Sequence, residues 1–277
     1  KYKPQAVRRV YIEKGGSRSK RPIGIPTVLD KIVQLGVARI LEAIYEPTFC
    51  GVSYGFRRGL SPHMCLKEIN HMIMGKKVNW IIDTDIKGFF DHIDHSWMMR
   101  CLSERISDPN FKQVLYRFLK AGVMEDGRYQ ATETGTPQGG IVSPILANVY
   151  LHYVLDFWFE KKIQRQVTGY TQLVRYADDF VIGVQQKGEA IEILDHLKER
   201  FKGFGLKLST EKTQIIEFGR FAAENRKKRR ERKPETFDFL GFTHYCSETV
   251  DGRFQVRVKT IRKKMNRSII GINRWLK

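Results

Sequence analysis

Two stretches of the chain hold carboxylates where an apolar strand would not ordinarily carry them. Tyr176-Ala177-Asp178-Asp179 joins the short apolar runs at 172–175 and 180–184, and far upstream Trp80-Ile81-Ile82-Asp83-Thr84-Asp85-Ile86 sets two acids in a third apolar run. Taken alone, the first is a β-hairpin with an acidic tip, where Asp tolerates unusual backbone angles, and a solvated turn would have the same composition. The second is harder to explain without a partner, because a carboxylate in a strand interior is costly unless a cation or donor compensates it. If the two elements lie side by side, Asp85 and Asp178 converge. Hard oxygen donors so placed suit two Mg²⁺ ions about 3.5–4 Å apart, the arrangement that serves an in-line phosphoryl transfer.

The surrounding periodicities say which elements must position these acids. A strand is expected at 8–12 and an extended segment at 20–27, held open by Pro22 and Pro26. Helical spacing of Ile32, Leu35, Ala38, Ile40, Leu41 and Ile44 predicts a helix over 30–45, and Ser61-Pro62 predicts the start of another over 62–74. A strand at 78–86, a turn at 87–94, and helices at 96–106 and 109–120 follow. Asp126-Gly127 marks a hairpin, and Ser143-Pro144 is read as the cap of a long helix over 144–162. After the acidic hairpin come a helix over 189–204, a strand at 214–218, and strand-like segments at 236–244 and 253–258. Reduced to order, the centre reads β-α-β-β-α-β, a split βαβ sheet that makes Asp85 and the Asp178-Asp179 tip neighbours.

Composition narrows the partner. A chain of 277 residues with 42% hydrophobic content can bury a sizeable core, so a folded domain, or two closely packed ones, is expected. Forty-nine Lys and Arg against 30 Asp and Glu leave a net charge of +19, which favours a polyanion, nucleic acid ahead of an acidic membrane surface. The charge is clustered: Arg8, Arg9, Lys14, Arg18, Lys20 and Arg21 at the start, Arg226-Lys227-Lys228-Arg229-Arg230 later, and nine Lys or Arg without an acid from Gly252 onward. Each run is a backbone-binding candidate and equally a solvated loop. Gly51-Val52-Ser53-Tyr54-Gly55-Phe56-Arg57-Arg58-Gly59 is a Gly-rich loop that could also meet a nucleic-acid backbone. Cys50, Cys65, Cys101 and Cys246 form no C-x-x-C pair, which argues against zinc and fits a reducing, cytosol-like compartment. No apolar run approaches the ~18 residues of a membrane span. The first residue and the basic last segment suggest an excised part of a longer protein.

At this point six blocks, in order over about residues 8–260, resemble a reverse transcriptase, and more narrowly a group II intron-encoded reverse transcriptase or maturase. Arg21-Pro22-Ile23-Gly24-Ile25-Pro26 resembles the first fingers block, and Asp85-Ile86-Lys87-Gly88-Phe89-Phe90-Asp91 resembles motif A. Thr136-Pro137-Gln138-Gly139-Gly140-Ile141-Val142-Ser143-Pro144 resembles motif B, and the YADD turn motif C. Gly205-Leu206-Lys207-Leu208 through Glu211-Lys212-Thr213 resembles motif D, and Phe239-Leu240-Gly241-Phe242 the primer-grip motif E.

The resemblance implies an α+β fold with right-hand polymerase architecture, its palm an antiparallel ferredoxin-like sheet backed by helices. Fingers would occupy 1–78, with part of 100–135 nearby, the palm 79–258, and the start of a thumb 259–277. It implies two Mg²⁺ held by Asp85 and Asp178 as principal ligands, with Ile86 and Asp179 completing the metal set. Asp83 shares a face with Asp85 but falls outside the motif, and Asp91 is assigned to turn chemistry. Lys212 would protonate pyrophosphate. Arg21 would hold the triphosphate, assisted by Lys14 or Lys20; Gln138 and Gly139 would approach the incoming nucleotide, and Phe90 would exclude a 2′-hydroxyl, although a core aromatic would look the same in sequence. Phe239, Leu240 and Gly241 would grip the primer. Arg8, Arg9, Arg57, Arg58 and Arg226, Lys227, Lys228, Arg229, Arg230 would bind RNA. The expected partners are structured intron RNA, an RNA template with a DNA primer, and dNTPs, without a membrane; a homodimer is compatible, as is a bacterial-type cytoplasmic ribonucleoprotein. Alternatives are an RNA-binding splicing maturase without polymerase activity, and another bacterial class, retron or diversity-generating.

Overall fold

The computed structural model describes residues 2–13, 20–136 and 139–276. In chain order its elements are β1 (Val7–Glu13), β2 (Lys20–Ile25), α1 (Val28–Tyr45), α2 (Pro62–Gly75), β3 (Trp80–Asp85), α3 (Phe89–His92), α4 (His95–Ser103), α5 (Pro109–Leu119), β4 (Val123–Glu125) and β5 (Arg128–Gln130). These are followed by α6 (Ser143–Leu151), α7 (Gln164–Gln166), β6 (Thr171–Tyr176), β7 (Asp179–Val184), α8 (Lys187–Gly203), β8 (Gln214–Glu217), α9 (Ala222–Lys228), β9 (Phe237–Phe239), β10 (Phe242–Glu248), β11 (Phe254–Thr260) and α10 (Arg262–Trp275). None of the described helices is long and apolar enough to cross a membrane.

The chain divides into two units interleaved along the sequence: Lys1–Arg58, Ile86–Trp158 and Glu199–Lys207 form one, and Gly59–Asp85, Phe159–Lys198 and Leu208–Lys277 form the other. These cuts do not follow the fingers and palm bounds that the resemblance implies.

In the first unit a four-stranded sheet runs in the order β2-β1-β4-β5, and α1 and α3–α6 belong to the same unit. Thr27 caps α1 by accepting from the Asp30 amide, and α1 buries Gln34, Val37, Ala38, Leu41 and Tyr45 while leaving Ile32, Leu35 and Ile40 exposed. Ser143 does not cap α6 as expected. Its hydroxyl accepts from the Thr136 hydroxyl at 2.6 Å, and the helix starts without a side-chain cap. The helix expected over 144–162 begins as α6 and then loosens into π-helical turns at His152–Asp156 and Phe159–Ile163.

The second unit contains the sheet predicted to carry the acids, in the order β6-β7-β3-β8, every neighbouring pair antiparallel. This is the split βαβ arrangement, with β3 central and Ile81 and Ile82 fully buried on its two faces. Helix α2, capped by Ser61 with Pro62 at its first turn as the sequence predicts, packs on β6. Gly183 makes room for it: a Cβ there would lie 2.7 Å from the Met72 sulfur. A second sheet, β11-β10-β9, corrects one expectation. The single strand read over 236–244 is a hairpin, because Phe239 pairs with Phe242 and Leu240 (φ 50°) and Gly241 (φ 88°) form a two-residue turn with both residues left-handed.

His244 lies in this sheet, 1% exposed and stacked on the Phe237 ring at 4.6 Å, and neither ring nitrogen has a hydrogen-bond partner. Burial holds its pKa at about 4, below the ordinary 6.5. Between those values the unfolded chain binds the proton more readily than the folded one, so acidification across this window should remove up to about 3 kcal/mol of stability. Denaturation midpoints of wild type and His244→Phe across the window test this. The variant should lose the acid-side slope, and parallel curves would assign the slope to other groups.

Candidate active site

The register of β3 and β7 places Asp85 directly opposite Asp179, and Tyr176 of β6 pairs with Asp179 from the other side. Asp178 is one residue back, half-buried in the turn between β6 and β7. The acid that stands opposite Asp85 is thus Asp179, with Asp178 preceding it in the turn. The unusual backbone angle belongs to Ala177 (φ 58°) and not to an Asp. The Ala177 carbonyl accepts from Arg175 Nη1 at 2.7 Å, and Arg175 is fully buried.

One cavity of about 440 Å³ gathers the chemistry: Asp83, Asp85, Asp179 and Asp238 line it with Lys212 and Leu240. Lys212 Nζ stands 2.8 Å from Asp85 Oδ2, and that carboxylate holds the ammonium above its usual range. The motif D loop is tied to β3 at two points, Ser209 N to the Asp85 carbonyl at 2.8 Å and Thr213 Oγ1 to Thr84 Oγ1 at 3.1 Å, which brings Lys212 to this position. Asp83, bonded by Gln214 at 3.2 Å, is pushed up to about 6, by burial first and then by Asp238 and Asp85. Asp179 is also pushed up to about 6, by desolvation and by the charges of Asp178 and Asp85.

Among the described residues no group of three or more Asp, Glu, His and Cys side chains is gathered tightly enough to hold a metal ion. The donor chemistry nevertheless fits a hard divalent cation: four carboxylates share one cavity, two ionise only against a penalty, and the nearest positive charge is one lysine. Ile86, next to Asp85, has its side chain buried. The primer-grip candidates Leu240 and Gly241 form the β9–β10 turn, Leu240 and Phe239 line the cavity, and Gly241 packs under the Lys264 side chain.

In the first unit, Arg21, Phe90 and Gly139 line a cavity of about 270 Å³ together with Ile23, Phe56 and Pro144. Gly139 (φ 108°) is required there, since a Cβ would come within 2.7 Å of the Gly24 carbonyl oxygen. Phe89, not Phe90, is the core ring of motif A: it is 2% exposed, whereas Phe90 is half-buried and also borders a second cavity of about 340 Å³ with Thr134 and Gly135. Lys14 and Gln138 lie outside the described residues.

The basic candidates separate by what they touch. Arg57 donates to Glu46, Cys50 O and Ser53 O, so its guanidinium serves its own loop, while Arg58 is exposed. The run at 226–230 is largely helix α9 and not a loop. Arg226 faces Glu231 and Glu235 at 3.4 and 3.5 Å, Arg229 pairs with Glu217 and Glu231, and Lys228 pairs with Glu224. Lys227 and Arg230 are exposed, as is Arg8, and Arg9 approaches Glu125 at 3.9 Å. Replacing Lys227 and Arg230 together should therefore flatten the salt dependence of RNA binding by about 0.7 per lost phosphate contact, whereas Arg226→Ala should act mainly on stability. Filter-binding titrations over a salt series decide, and an equal slope change in both would overturn the distinction.

Sequence reasoning missed three residues that the structure brings into play. Asp238 was hidden by the misread strand, Phe56 by its loop, and Arg175 by its ordinary appearance; the available signal was a lone cation in an otherwise apolar strand.

With the geometry established, comparison with known proteins gives consistent likenesses. A family profile described as "Reverse transcriptase (RNA-dependent DNA polymerase)" matches residues 12–244. "Group II intron-encoded protein LtrA" of Lactococcus lactis subsp. cremoris is 48% identical over 163 residues, 59% of this chain and 27% of that protein. "Protein YkfC" of Escherichia coli (strain K12) is 33% identical over 247 residues, covering 77% of this chain and 64% of that one. The chain thus spans about a quarter of the length of the first of these relatives. Among solved structures, apo telomerase from Candida tropicalis, truncated from its C-terminal domain, superposes with a TM-score of 0.66 at 15% identity, over 93% of this chain and 55% of that one. At that identity the likeness is one of fold.

Proposed function

The chain belongs to the reverse transcriptase (RNA-dependent DNA polymerase) family, and from that premise we propose that it is the polymerase domain of a group II intron-encoded protein, extending a primer 3′-hydroxyl with dNTPs on an RNA template. The observation that carries this reading is the cross-strand pairing of Asp85 with Asp179, next to Asp178, at a carboxylate-lined cavity. In the proposed assignment Asp85 and Asp178, with Ile86 adjoining and Asp179 in support, would hold two Mg²⁺ ions. When bound, these ions neutralise phosphate charge and favour ionisation of the attacking hydroxyl.

The remaining roles fall to the chain's own groups. Lys212 is already charged and directed at the carboxylates, so it is placed to donate a proton toward the pyrophosphate oxygen. Arg21 offers a planar fork that matches a triphosphate, and Gly139, packed closely on the Gly24 backbone, contributes to the same cavity for the incoming nucleotide. Phe90 serves as the flat ring under the sugar, and the Leu240-Gly241 turn as the grip on the primer. Exposed cations such as Arg8, Arg58, Lys227 and Arg230 would bind structured intron RNA within a ribonucleoprotein.

The test is extension of a DNA primer on an RNA template with Mg²⁺, supplied with dNTPs or rNTPs. Wild type should add dNTPs and discriminate against rNTPs, and Phe90→Val should lose about tenfold or more of that discrimination with DNA synthesis retained. Unchanged sugar selectivity would make Phe90 structural. RNA binding without extension in the full-length protein would favour the splicing-maturase reading.

A further inference from the structure

The loop before α2 fixes one aromatic ring with unusual firmness. Phe56 has φ 58°, a left-handed conformation that costs any residue with a Cβ, and its ring is 48% exposed. Both neighbours are tied down. The Gly55 carbonyl accepts from Nδ2 of Asn148, a fully buried side chain of α6, at 2.7 Å. Arg57 is clamped by Glu46 at 2.7 Å, by the Ser53 carbonyl at 2.7 Å and by the face of Phe49. A loop that needed only this backbone would carry Gly or Asn at position 56, and a ring that needed only burial would not stay half in water. Phe56 instead lines a cavity together with Arg21, Phe90 and Gly139.

A flat apolar side chain and an arginine lining one cavity match two parts of a nucleotide, its base and its phosphate. We propose that Phe56 is a stacking platform for a nucleobase in this cavity and fixes the position of the nucleotide held there. The inference rests on the polymerase reading for the identity of its ligand. The base belongs either to the incoming dNTP or to the template nucleotide it pairs with, and stacking chemistry is common to both.

Phe56→Ala, Phe56→Tyr and Phe56→Gly in the full chain separate the outcomes. If the base is the incoming one, Phe56→Ala should raise the KM for dNTP by about 5- to 100-fold with kcat little changed, while Phe56→Tyr stays near wild type. If it is the template base, dNTP KM should hold and affinity for a primer–template with a single-stranded template overhang should fall by the same factor, with a blunt duplex unaffected. Phe56→Gly should lose stacking equally while keeping or raising the thermal midpoint, because Gly relieves the left-handed strain; a structural ring would lower the midpoint instead. Unchanged KM and unchanged overhang affinity in Phe56→Ala would overturn the proposal. Should wild type fail to extend primers, the polymerase reading fails separately, and equilibrium titration of dNTP and of the overhang duplex against wild type and Phe56→Ala still decides the stacking role.

Discussion

Asp178→Ala should reduce primer extension by about 10²–10³-fold or more while leaving the fold and RNA affinity in place. The two halves of that expectation have separate causes. Asp178 sits half-buried in the turn between β6 and β7 and is not among the buried core residues, so its truncation leaves the sheet's apolar core intact. Its charge is felt by both Asp179 and Lys212, which places it electrostatically inside the group at the cavity. Removing it lowers the like-charge repulsion on Asp179 and weakens the attraction on Lys212, two effects of opposite sign on stability. A variant that still extends primers at a wild-type rate would remove Asp178 from the metal set. A variant that unfolds would show that the turn needs the carboxylate for structure.

Arg175→Ala is expected to cost about 3 kcal/mol of stability although the residue lies outside the cavity. Arg175 is fully buried, and truncation would leave an internal void and deprive the Ala177 carbonyl of its donor. The lost bond anchors a turn whose backbone is left-handed at Ala177, so loss of stability and loss of turn geometry should arrive together. Arg175→Lys keeps a charge and one donor but not the planar fork, and should fall between the two. Chemical denaturation of the three proteins measures this, and a loss below about 0.5 kcal/mol in Arg175→Ala would mean that the turn holds itself.

The acidic sheet was legible because its signals agree at every level. Apolar runs of strand length, helices between them with recognisable caps such as Ser61-Pro62, and acids near strand ends force Asp85 to the edge nearest the Asp178-Asp179 tip. Failures came where one pattern admits two structures. Phe239-Leu240-Gly241-Phe242 reads as a continuous strand, since a tight turn with Leu in a left-handed position runs against the preferences of that residue. The basic stretch after Arg220 reads as a solvated loop, but its acids at Glu224, Glu231 and Glu235 neutralise part of the run, and seven residues become helical. Asp238 was illegible for a further reason, and Arg175 showed only as a cation in an apolar strand. Their importance lies in what the fold packs around them, and neither strand pattern nor spacing encodes that.

The most direct test of the central claim is single-turnover extension of a primer on an RNA template as a function of Mg²⁺ concentration, for wild type beside Asp85→Asn. A carboxylate-held pair of ions predicts that the wild-type rate depends on more than one Mg²⁺, and that Asp85→Asn shifts the midpoint to higher Mg²⁺ with a large fall in the maximal rate. Extension that persists in excess chelator, or an Asp85→Asn curve that overlays wild type, would contradict the account.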